Sequence, residues 1–409
     1  METIDRKAAS AAAGGEEIPS ADELVARARA LVPMLRERAD AIEEARRVDE
    51  EVIDAFRKAG FFRIMRPRKW GGYQMDPVVF MRVLMEIGRG CSSSGWNLMI
   101  LGVHQWEFGL MPERACADMW SRNSETLIAS SYAPFGNCRK VDGGWVLNGT
   151  WGTSSGTDHA QGGAFVGARV FDEKTRFVDH RSFLVSRDDY EQIDDWFTMG
   201  LCGTGSKSIR LKPDTFVPDY RSHSIIEYAP TAEMPVEYWY PFNQVFFASV
   251  SSALIGFAQA MIDYFIEHTQ KRQGIMVPGS IALSPYVKDR LGNAIALVRS
   301  SRARLLQIMA ETRPIVERRE KVPESSRIEH ILDIARVGRE CEQAVLLLHK
   351  ANSARGIYRS NPMQRVLRDM LVAANHTTQN ADDFAGMLGG FHLGQGLPPG
   401  MYELPRYPD

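Results

Sequence analysis

Residues 245–272, VFFASVSSALIGFAQAMIDYFIEHTQKR, indicate the fold most clearly, because apolar side chains recur there at helical spacing over about seven turns. Serines, a glutamine and an aspartate interrupt the apolar run, so it predicts a buried core helix and not a membrane span. Two more long helical patterns follow at 283–319 and 326–356, and helices of these lengths suit a four-helix bundle. We therefore expect a C-terminal four-helix bundle over residues 236–395.

Upstream of the bundle, the pattern changes to short β-rich runs separated by Gly, Asp and Pro turns. The runs TLIASSYA, GGWVLNGTWGTSSG, GGAFVGARVF, HRSFLVS and KSIRLKPDTFVP predict a central β domain over residues 125–235. Residues 20–124 carry mainly helical patterns and predict an N-terminal helical domain. Ser20 with Glu23 predicts a capping box at the start of its first helix.

The order of these segments predicts an α+β fold, mainly α, with helices and strands in separate domains and not in an alternating sheet. A length of 409 residues is consistent with two or three domains. Residues 1–19 are expected to form a flexible leader. Residues 396–409 contain four Pro and are expected to form an extended arm.

Composition excludes several classes of protein. The chain is 44% hydrophobic and 24% charged, as in ordinary globular proteins. Its 49 Lys and Arg residues balance 51 Asp and Glu residues. The chain therefore lacks the excess of basic residues that would indicate a nucleic-acid partner. Five cysteines without a CxxC pair and the absence of a signal-like apolar leader predict a cytoplasmic protein with no membrane partner.

Common catalytic motifs are missing as well. No strand, Gly-rich turn and helix follow one another as a dinucleotide site requires, and no GxSxG or HExxH occurs. The nine histidines are scattered, so no metal site is predicted. Residues 200–208, GLCGTGSKS, depart from the phosphate-loop pattern and precede a strand. Their amides and hydroxyls could contact a cofactor, but a tight turn uses the same residues and is the favoured interpretation.

Two other places combine polar residues with apolar surroundings. His104 and Trp106 lie in an otherwise apolar helix, where a histidine is more often a core residue than a catalyst. The second place contains Ser130 and Tyr132, together with the hydroxyl-rich stretch 149–159. Such serines and threonines commonly satisfy backbone groups at strand ends. Neither pattern alone defines a site.

Taken together, these stretches resemble the acyl-CoA dehydrogenase fold, from about residue 20 almost to the end. Within that fold, they are similar to the oxygenase components of two-component flavin monooxygenases, the group of the p-hydroxyphenylacetate, secosteroid and dibenzothiophene enzymes. The motifs that carry the resemblance are Gly60-Phe-Phe with Trp70-Gly-Gly72, Gly102-Val-His104 with Trp106, Ser130 to Pro134, Trp151 to His159, Gly200 to Ser206, and Gln364 to Asp369.

One difference separates the dehydrogenases from the oxygenases. Dehydrogenases typically place an Ile-Tyr-Glu-Gly-Thr run, with a Glu base, after the Arg-Asp segment that corresponds to Arg368-Asp369. This chain has no such Glu and instead carries His376, seven residues after Asp369, where the hydroxylases have theirs. The resemblance therefore implies an oxygenase. The alternatives are an acyl-CoA dehydrogenase, an N- or S-oxygenase, and an inactive protein that only binds a ligand.

The activity implied by the resemblance is hydroxylation of a small phenolic or indolic compound. Reduced FMN or FAD, supplied by a separate NAD(P)H-flavin reductase, would react with O₂ to a C4a-hydroperoxide that transfers one oxygen. The family also implies a homotetramer assembled through the helix bundle.

The resemblance further assigns roles to individual residues. Ser155, with Ser154 as an alternative, would hydrogen-bond the flavin near N5, and His376 would act as acid or base because imidazole titrates near neutral pH. A structural histidine at a helix end is the alternative for His376. The other expected cofactor residues are Trp151, Gly205, Ser206 and Arg272. His104 is expected both to take part in catalysis and to contact the substrate. The other expected substrate residues are Trp106, Ser130, Tyr132 and His376.

The chain departs from the secosteroid hydroxylases at three places. Cys202 stands where they have Arg, and Asn380 stands where they have Asp. The segment after His376 is also longer, so residues 384–400, with Phe391, His392 and Leu397, are expected to close the pocket differently.

Overall fold

The computed structural model of the protein describes residues 17–273 and 279–396. Most of the predicted leader and of the predicted C-terminal arm, including Leu397, lies outside these residues. Within them, helices, then strands, then long helices follow one another as expected.

The N-terminal part is helical. Its helices are α1 (Ala21–Ala45), α2 (Glu50–Lys58), α3 (Pro77–Gly90), α4 (Ser92–Glu107) and α5 (Glu113–Trp120). Helix α1 begins with the Ser20 hydroxyl accepting from the Glu23 amide at 3.1 Å. The Glu23 carboxylate pairs with Arg27, so only the Ser20 half of the predicted capping box forms. Arg46, with φ +53°, ends α1 and separates it from α2.

The middle of the chain forms two sheets. Its strands are β1 (Ile128–Val141), β2 (Gly144–Asn148), β3 (Thr150–Trp151), β4 (Gly163–Phe171), β5 (Phe177–Ser186), β6 (Tyr190–Ile193), β7 (Ser208–Leu211), β8 (Thr215–Pro218) and β9 (Ser222–Ser224). The larger sheet has the order β8-β2-β1-β4-β5-β9, and the smaller one has β3-β7-β6. β1 pairs with β4 in parallel, and its register shifts between Ser131 and Gly136, beside the cavity described below.

Long helices return after the sheets. They are α6 (Phe242–Gln270), α7 (Pro285–Glu317), α8 (Glu324–Ala351), α9 (Pro362–Ala374) and α10 (Ala381–His392). Helix α6 packs against α7, α8 and α9 of the bundle and also against α3 and α4. By length and composition alone it could cross a bilayer, but 89% of its most apolar window is buried. It is a core helix, as the sequence predicts.

The expected α+β architecture is confirmed, with helical parts on either side of a central part made of two sheets. The domain limits at 124/125 and 235/236 stay predictions. The fold brings α4, β1, the segment after β3, α6 and the end of α9 around one cavity.

Candidate active site

A cavity of about 580 Å³ lies between the helical parts and the sheet. This volume is in the range of small-molecule and cofactor sites. Aromatic and aliphatic side chains form most of its wall, and its polar groups are hydroxyls, amides and imidazoles. Among the described residues that line it, none is Asp, Glu, Lys or Arg. Five of the predicted site residues line this cavity: Ser130, Tyr132, Ser155, Ser206 and His376.

Ser155 belongs to a row of buried hydroxyl groups on one wall. Its Oγ lies 2.8 Å from Ser206 Oγ, which lies 2.8 Å from Thr204 Oγ1. Thr204 Oγ1 in turn donates to the Leu201 carbonyl at 2.7 Å. The Trp96 indole donates its Nε1–H to Ser155 Oγ at 3.1 Å. Ser155 is therefore fixed by neighbours from α4 and from the Gly200–Ser206 loop.

Ser130 and Ser155 are brought together by the backbone. They form an antiparallel bridge between β1 and the segment after β3, and side chains at directly opposed positions lie about 5 Å apart at Cβ. The Ser130 hydroxyl has no hydrogen-bond partner among the described residues, so it is available to a ligand. A group bound at Ser130 would lie beside a group bound at Ser155.

His376 faces the same cavity from the end of α9. Its ring packs edge-on against Trp96 with 5.6 Å between ring centroids, so Trp96 contacts both Ser155 and His376. His376 Nδ1 lies 2.9 Å from Thr378 Oγ1 and accepts from the Thr378 amide at 3.3 Å. An amide can only donate, so Nδ1 is an acceptor and the neutral ring carries its hydrogen on Nε2.

The charge of His376 differs from the expectation. Burial of the ring lowers its pKa to about 4, because a charged imidazolium loses its hydration there. The side chain is therefore neutral at pH 7. It presents an Nε2–H donor and does not titrate near neutrality.

Tyr132 connects the cavity to a buried carboxylate behind it. The Tyr132 hydroxyl contacts Glu107 Oε2, which also accepts from His104 Nδ1 at 2.8 Å. Glu107 Oε1 accepts from Ser182 Oγ at 2.9 Å and from His223 Nε2 at 2.6 Å. Burial and the Glu107 charge raise the pKa of Tyr132 well above its ordinary value. Tyr132 therefore stays protonated, donates its hydroxyl hydrogen bond to Glu107, and offers only lone pairs to the cavity.

Glu107 stays ionised in this cluster. Burial alone would raise its pKa, but hydrogen bonds and charge from His104 and His223 lower it to about 2. Both ring nitrogens of His223 face acceptors, because Nδ1 lies 2.8 Å from its neighbour's carbonyl, Ser224 O. A buried carboxylate that accepts from four side-chain donors therefore lies one layer behind Tyr132.

His104 and Trp106 occupy that second layer and do not line the cavity. His104 packs behind Tyr132 and Phe246, with ring centroids 5.8 and 5.6 Å away. Trp106 is fully buried, donates to Glu237 O at 2.7 Å and packs against Phe242 and Phe246. The aromatic wall predicted for Trp106 is instead formed by Phe242 and Phe246, which stack 4.1 Å apart.

Four of the predicted cofactor residues also lie off the cavity wall. Trp151 and Ser154 are fully buried, and Trp151 donates to Gly167 O at 2.7 Å. Gly205 serves a turn, with φ +57°, and a Cβ there would lie 2.5 Å from Asp158 Oδ2. Arg272 follows the far end of α6 and hydrogen-bonds Asn352. It lies about 30 Å along the helix from Val250 of the cavity wall, so it does not reach the cavity of its own chain.

The segment expected to close the pocket lies mostly in α10. Phe384 is buried in a small cluster with Ile331 and Ala335, and it contacts the cavity residue Phe247 at 5.7 Å between ring centroids. Residues 384–396 do not line the cavity directly. Residues 397–400 lie outside the described part.

Several site residues were missed from the sequence. Trp96, His180 and the pair Phe242 and Phe246 line the cavity, and Glu107 supports Tyr132 from behind. A signal for Glu107 was present, because His104-x-x-Glu107 puts an acid and a histidine on one face of an apolar helix. No comparable pattern marks Trp96, which resembles any other core aromatic residue.

Family models match two parts of the chain. The N-terminal domain of acyl-CoA dehydrogenases matches residues 19–109, and the C-terminal domain of acyl-CoA dehydrogenases matches residues 248–381.

Relatives of known function match over nearly the full length. The oxygenase subunit HsaA of a flavin-dependent monooxygenase from Rhodococcus jostii is 33% identical, covering 89% of this chain and 97% of the relative. The oxygenase component of an FADH2-dependent resorcinol hydroxylase from Rhizobium is 30% identical, covering 93% and 96%. The crystal structure of 3-HSA hydroxylase from Rhodococcus superposes with a TM-score of 0.86 at 33% identity, covering 93% of this chain and 98% of that one.

Proposed function

The chain belongs to the flavin-dependent monooxygenases of the acyl-CoA dehydrogenase fold, and from this premise we propose that it hydroxylates a neutral phenolic or indolic compound. Reduced FMN or FAD, when bound, would supply the two electrons that activate O₂, of which one atom enters the product and the other leaves as water. The relatives' names, oxygenase subunit and oxygenase component, support a separate NAD(P)H-flavin reductase as the source of reduced flavin. The observation that carries the proposal is a cavity with hydroxyl and imidazole groups but no ionised side chain among its described lining residues.

The residues around Ser155 suit the ring of a flavin. Trp96, Trp196 and Leu201 provide flat or apolar surface, and Ser155 with Ser206 provides hydroxyls for the polar edge of a heterocycle. The volume of about 580 Å³ leaves room for a second, smaller ring. We assign Ser155 and Ser206 to the flavin and the neighbouring Ser130 and Tyr132 to the substrate.

The polar groups at the substrate end select for hydrogen-bond donors. The Tyr132 proton is committed to Glu107, so a substrate O–H or N–H is the complement of its free lone pairs. Ser130 can donate or accept. A substrate hydroxyl that donates to Tyr132 makes its ring richer in electrons, which favours attack on an electrophilic oxygen. His376 Nε2–H can donate to an oxygen atom in the cavity, and the apolar walls keep water away from it.

Thioester dehydrogenation is less well supported. Removing a proton next to a thioester needs a base, and the described lining residues include no carboxylate. His376 is a weak base because burial lowers its pKa to about 4. An N- or S-oxygenase would use the same flavin site, so product analysis distinguishes it from a ring hydroxylase.

The test compares two phenols of similar size. The protein receives chemically reduced FMN in oxygenated buffer with either 4-ethylphenol or 4-hydroxyphenylacetate, and hydroxylated product and H₂O₂ are measured. We expect product from 4-ethylphenol and a KM at least roughly tenfold higher for the acid, because a carboxylate buried without a partner costs several kcal/mol. Equal use of the acid would contradict the neutral-substrate assignment. Reoxidation identical to free flavin, with no product from any phenol or indole, would contradict oxygenation.

We also propose that four copies assemble through the helix bundle. Apolar side chains at its surface support this, since Leu283, Tyr286 and Leu393 are each more than two-thirds exposed. Light scattering of the purified protein should give four times the chain mass. Tyr286→Glu should then reduce the assembled mass, and a monomeric wild type would contradict the proposal.

A further inference from the structure

The row of hydroxyls behind Ser155 has a fixed direction. The Leu201 carbonyl can only accept, so Thr204 must donate its single hydroxyl proton to it. Ser206 must then donate to Thr204, and Ser155 must donate to Ser206. Each of these three side chains has one hydroxyl proton, and in this arrangement all three hydroxyl protons point away from the cavity.

The consequence falls on Ser155, the member of the row assigned to the flavin. One lone pair of its Oγ accepts from the Trp96 Nε1–H, and its proton is committed to Ser206. One lone pair is left for the cavity, so Ser155 can accept from a ligand but cannot donate to it. The remote carbonyl of Leu201 imposes this property through Thr204 and Ser206.

The Leu201 carbonyl is itself well anchored. It also accepts from the Thr204 amide at 3.0 Å and from the Trp196 indole at 3.0 Å. The Leu201 amide donates to the buried Asp369 carboxylate at 2.6 Å. These contacts hold Leu201 at φ +51°, a conformation that is uncommon for a residue with a side chain. The Leu201 carbonyl therefore cannot easily rotate away from Thr204.

We infer that Thr204, acting through Ser206, makes Ser155 an obligate hydrogen-bond acceptor and so makes the site bind reduced flavin more tightly than oxidised flavin. This inference rests on the proposed function. The N5 position of reduced flavin carries a hydrogen and can donate, whereas N5 of oxidised flavin is only an acceptor. An acceptor facing an acceptor leaves both unsatisfied, which weakens binding. Thr204 does not line the cavity and acts through Ser206, so it is a positioning residue for this selectivity.

The decisive variant is Thr204→Val, which has nearly the same shape but neither donates nor accepts. Ser206 then has no hydroxyl to donate to, so it can turn and donate to Ser155, and the Ser155 proton can point into the cavity. Thr204→Ser keeps the hydroxyl and is the matched control. Ser206→Ala also frees the Ser155 proton and serves as the second variant if Thr204→Val does not fold.

The measurement is the dissociation constant of oxidised FMN and, without oxygen, of reduced FMN. In Thr204→Val the ratio of the oxidised to the reduced constant should fall roughly fivefold to tenfold, the size of one net hydrogen bond. A tenfold fall corresponds to a two-electron midpoint potential of bound flavin about 30 mV more negative. Thr204→Ser should keep the wild-type ratio and potential. Neither readout depends on turnover.

The outcomes separate this inference from the proposed function. A wild type that binds neither form of FMN or FAD would contradict the flavin site itself. Wild-type binding with an unchanged ratio in folded Thr204→Val and Ser206→Ala would overturn the inference and leave the flavin site intact. A ratio unchanged in Ser155→Ala would also overturn it, because Ser155 would then not contact N5.

Discussion

His376 shows how one neighbour sets the chemistry of a side chain. Thr378 occupies Nδ1, so Nε2 carries the hydrogen of the neutral ring. Burial lowers the pKa to about 4, below the value of about 6.5 for an exposed histidine. At the residue scale, His376 is therefore a hydrogen-bond donor over the whole neutral range, and its charge changes only in acid.

We predict that His376→Ala lowers the rate of product formation by roughly 100-fold, the cost of losing one donor to a developing charge. His376→Gln, whose amide can donate from nearly the same place as Nε2, should recover most of this loss. Flavin binding should be little changed in both variants. Equal product rates in the wild type and His376→Ala would contradict the role.

The pH dependence tests the same residue. The pKa of His376 is lower in the folded than in the unfolded state, so the unfolded chain binds more protons between about pH 6.5 and pH 4. Its contribution to stability is complete above pH 6.5 and is lost as the pH falls through that range. The activity limb due to His376 should lie near pH 4. A limb near pH 6.5 that disappears in His376→Gln would contradict a buried neutral ring.

Helix α9 connects the Gly200–Ser206 loop, which carries the hydroxyls of Thr204 and Ser206, to the bundle. Its Asp369 is buried and accepts the Leu201 amide at 2.6 Å, and α9 ends just before His376. Burial raises the pKa of Asp369 to about 6, although the Leu201 amide and Arg365 act in the opposite direction. One helix therefore positions both walls of the cavity.

Asp369→Asn should change how stability depends on pH. The folded pKa of Asp369 exceeds the unfolded value, so the wild type loses stability from this group as the pH rises from about 4 to 6. Asp369→Asn has no titrating group at this position and does not lose this stability. The free energy of unfolding of the variant minus that of the wild type should therefore increase by about 2 kcal/mol from pH 4.5 to pH 7.5, measured by denaturant unfolding at each pH. Parallel pH profiles would contradict the raised pKa.

Asp369→Ala is the informative contrast. It leaves the Leu201 amide without an acceptor, so it should destabilise the protein at every pH by about 1–3 kcal/mol. An asparagine in its place can still accept.

At the scale of the whole molecule, Glu107 connects the N-terminal helices to the sheet. From the end of α4 it accepts hydrogen bonds from β1, β5 and β9 through Tyr132, Ser182 and His223. Its pKa of about 2 lies below the unfolded value, so its stabilising contribution is complete above about pH 4.5 and is lost as the pH falls toward 2.

Glu107→Gln should destabilise the protein by about 1–3 kcal/mol, because its amide NH2 replaces a carboxylate oxygen and leaves buried donors such as Tyr132 or His104 without an acceptor. Thermal and denaturant unfolding at pH 7 measure the change. Glu113→Gln, which removes an exposed partner of Lys69, is the matched control and should stay within about 0.5 kcal/mol of the wild type. A loss of similar size in both variants would contradict the role of the buried cluster.

The sequence predicted much of the candidate site because some contacts follow from local patterns. Hydroxyls at strand ends, at Ser130 and Ser155, and the histidine after α9 come from segments whose type the sequence indicates, and all three line the cavity. Their chemical roles stay predictions. His104 and Trp106 were expected to line the substrate pocket, but they lie one layer behind the cavity wall. Helical spacing predicts the buried face of α4 but not which of its buried side chains reach the cavity.

The order and type of the elements follow from the sequence alone, because helical spacing, strand runs and turn residues act within a few positions along the chain. Which side chains contact one another depends on the tertiary structure. Trp96, Thr204, Glu107 and Asp369 contact partners 25 to 168 residues away in sequence. Contacts between distant residues also set the position of the Tyr132 proton, through Glu107, and the direction of the Ser155 hydroxyl, through Ser206. They depend on packing and burial, which act across the fold and leave no periodic trace in the sequence.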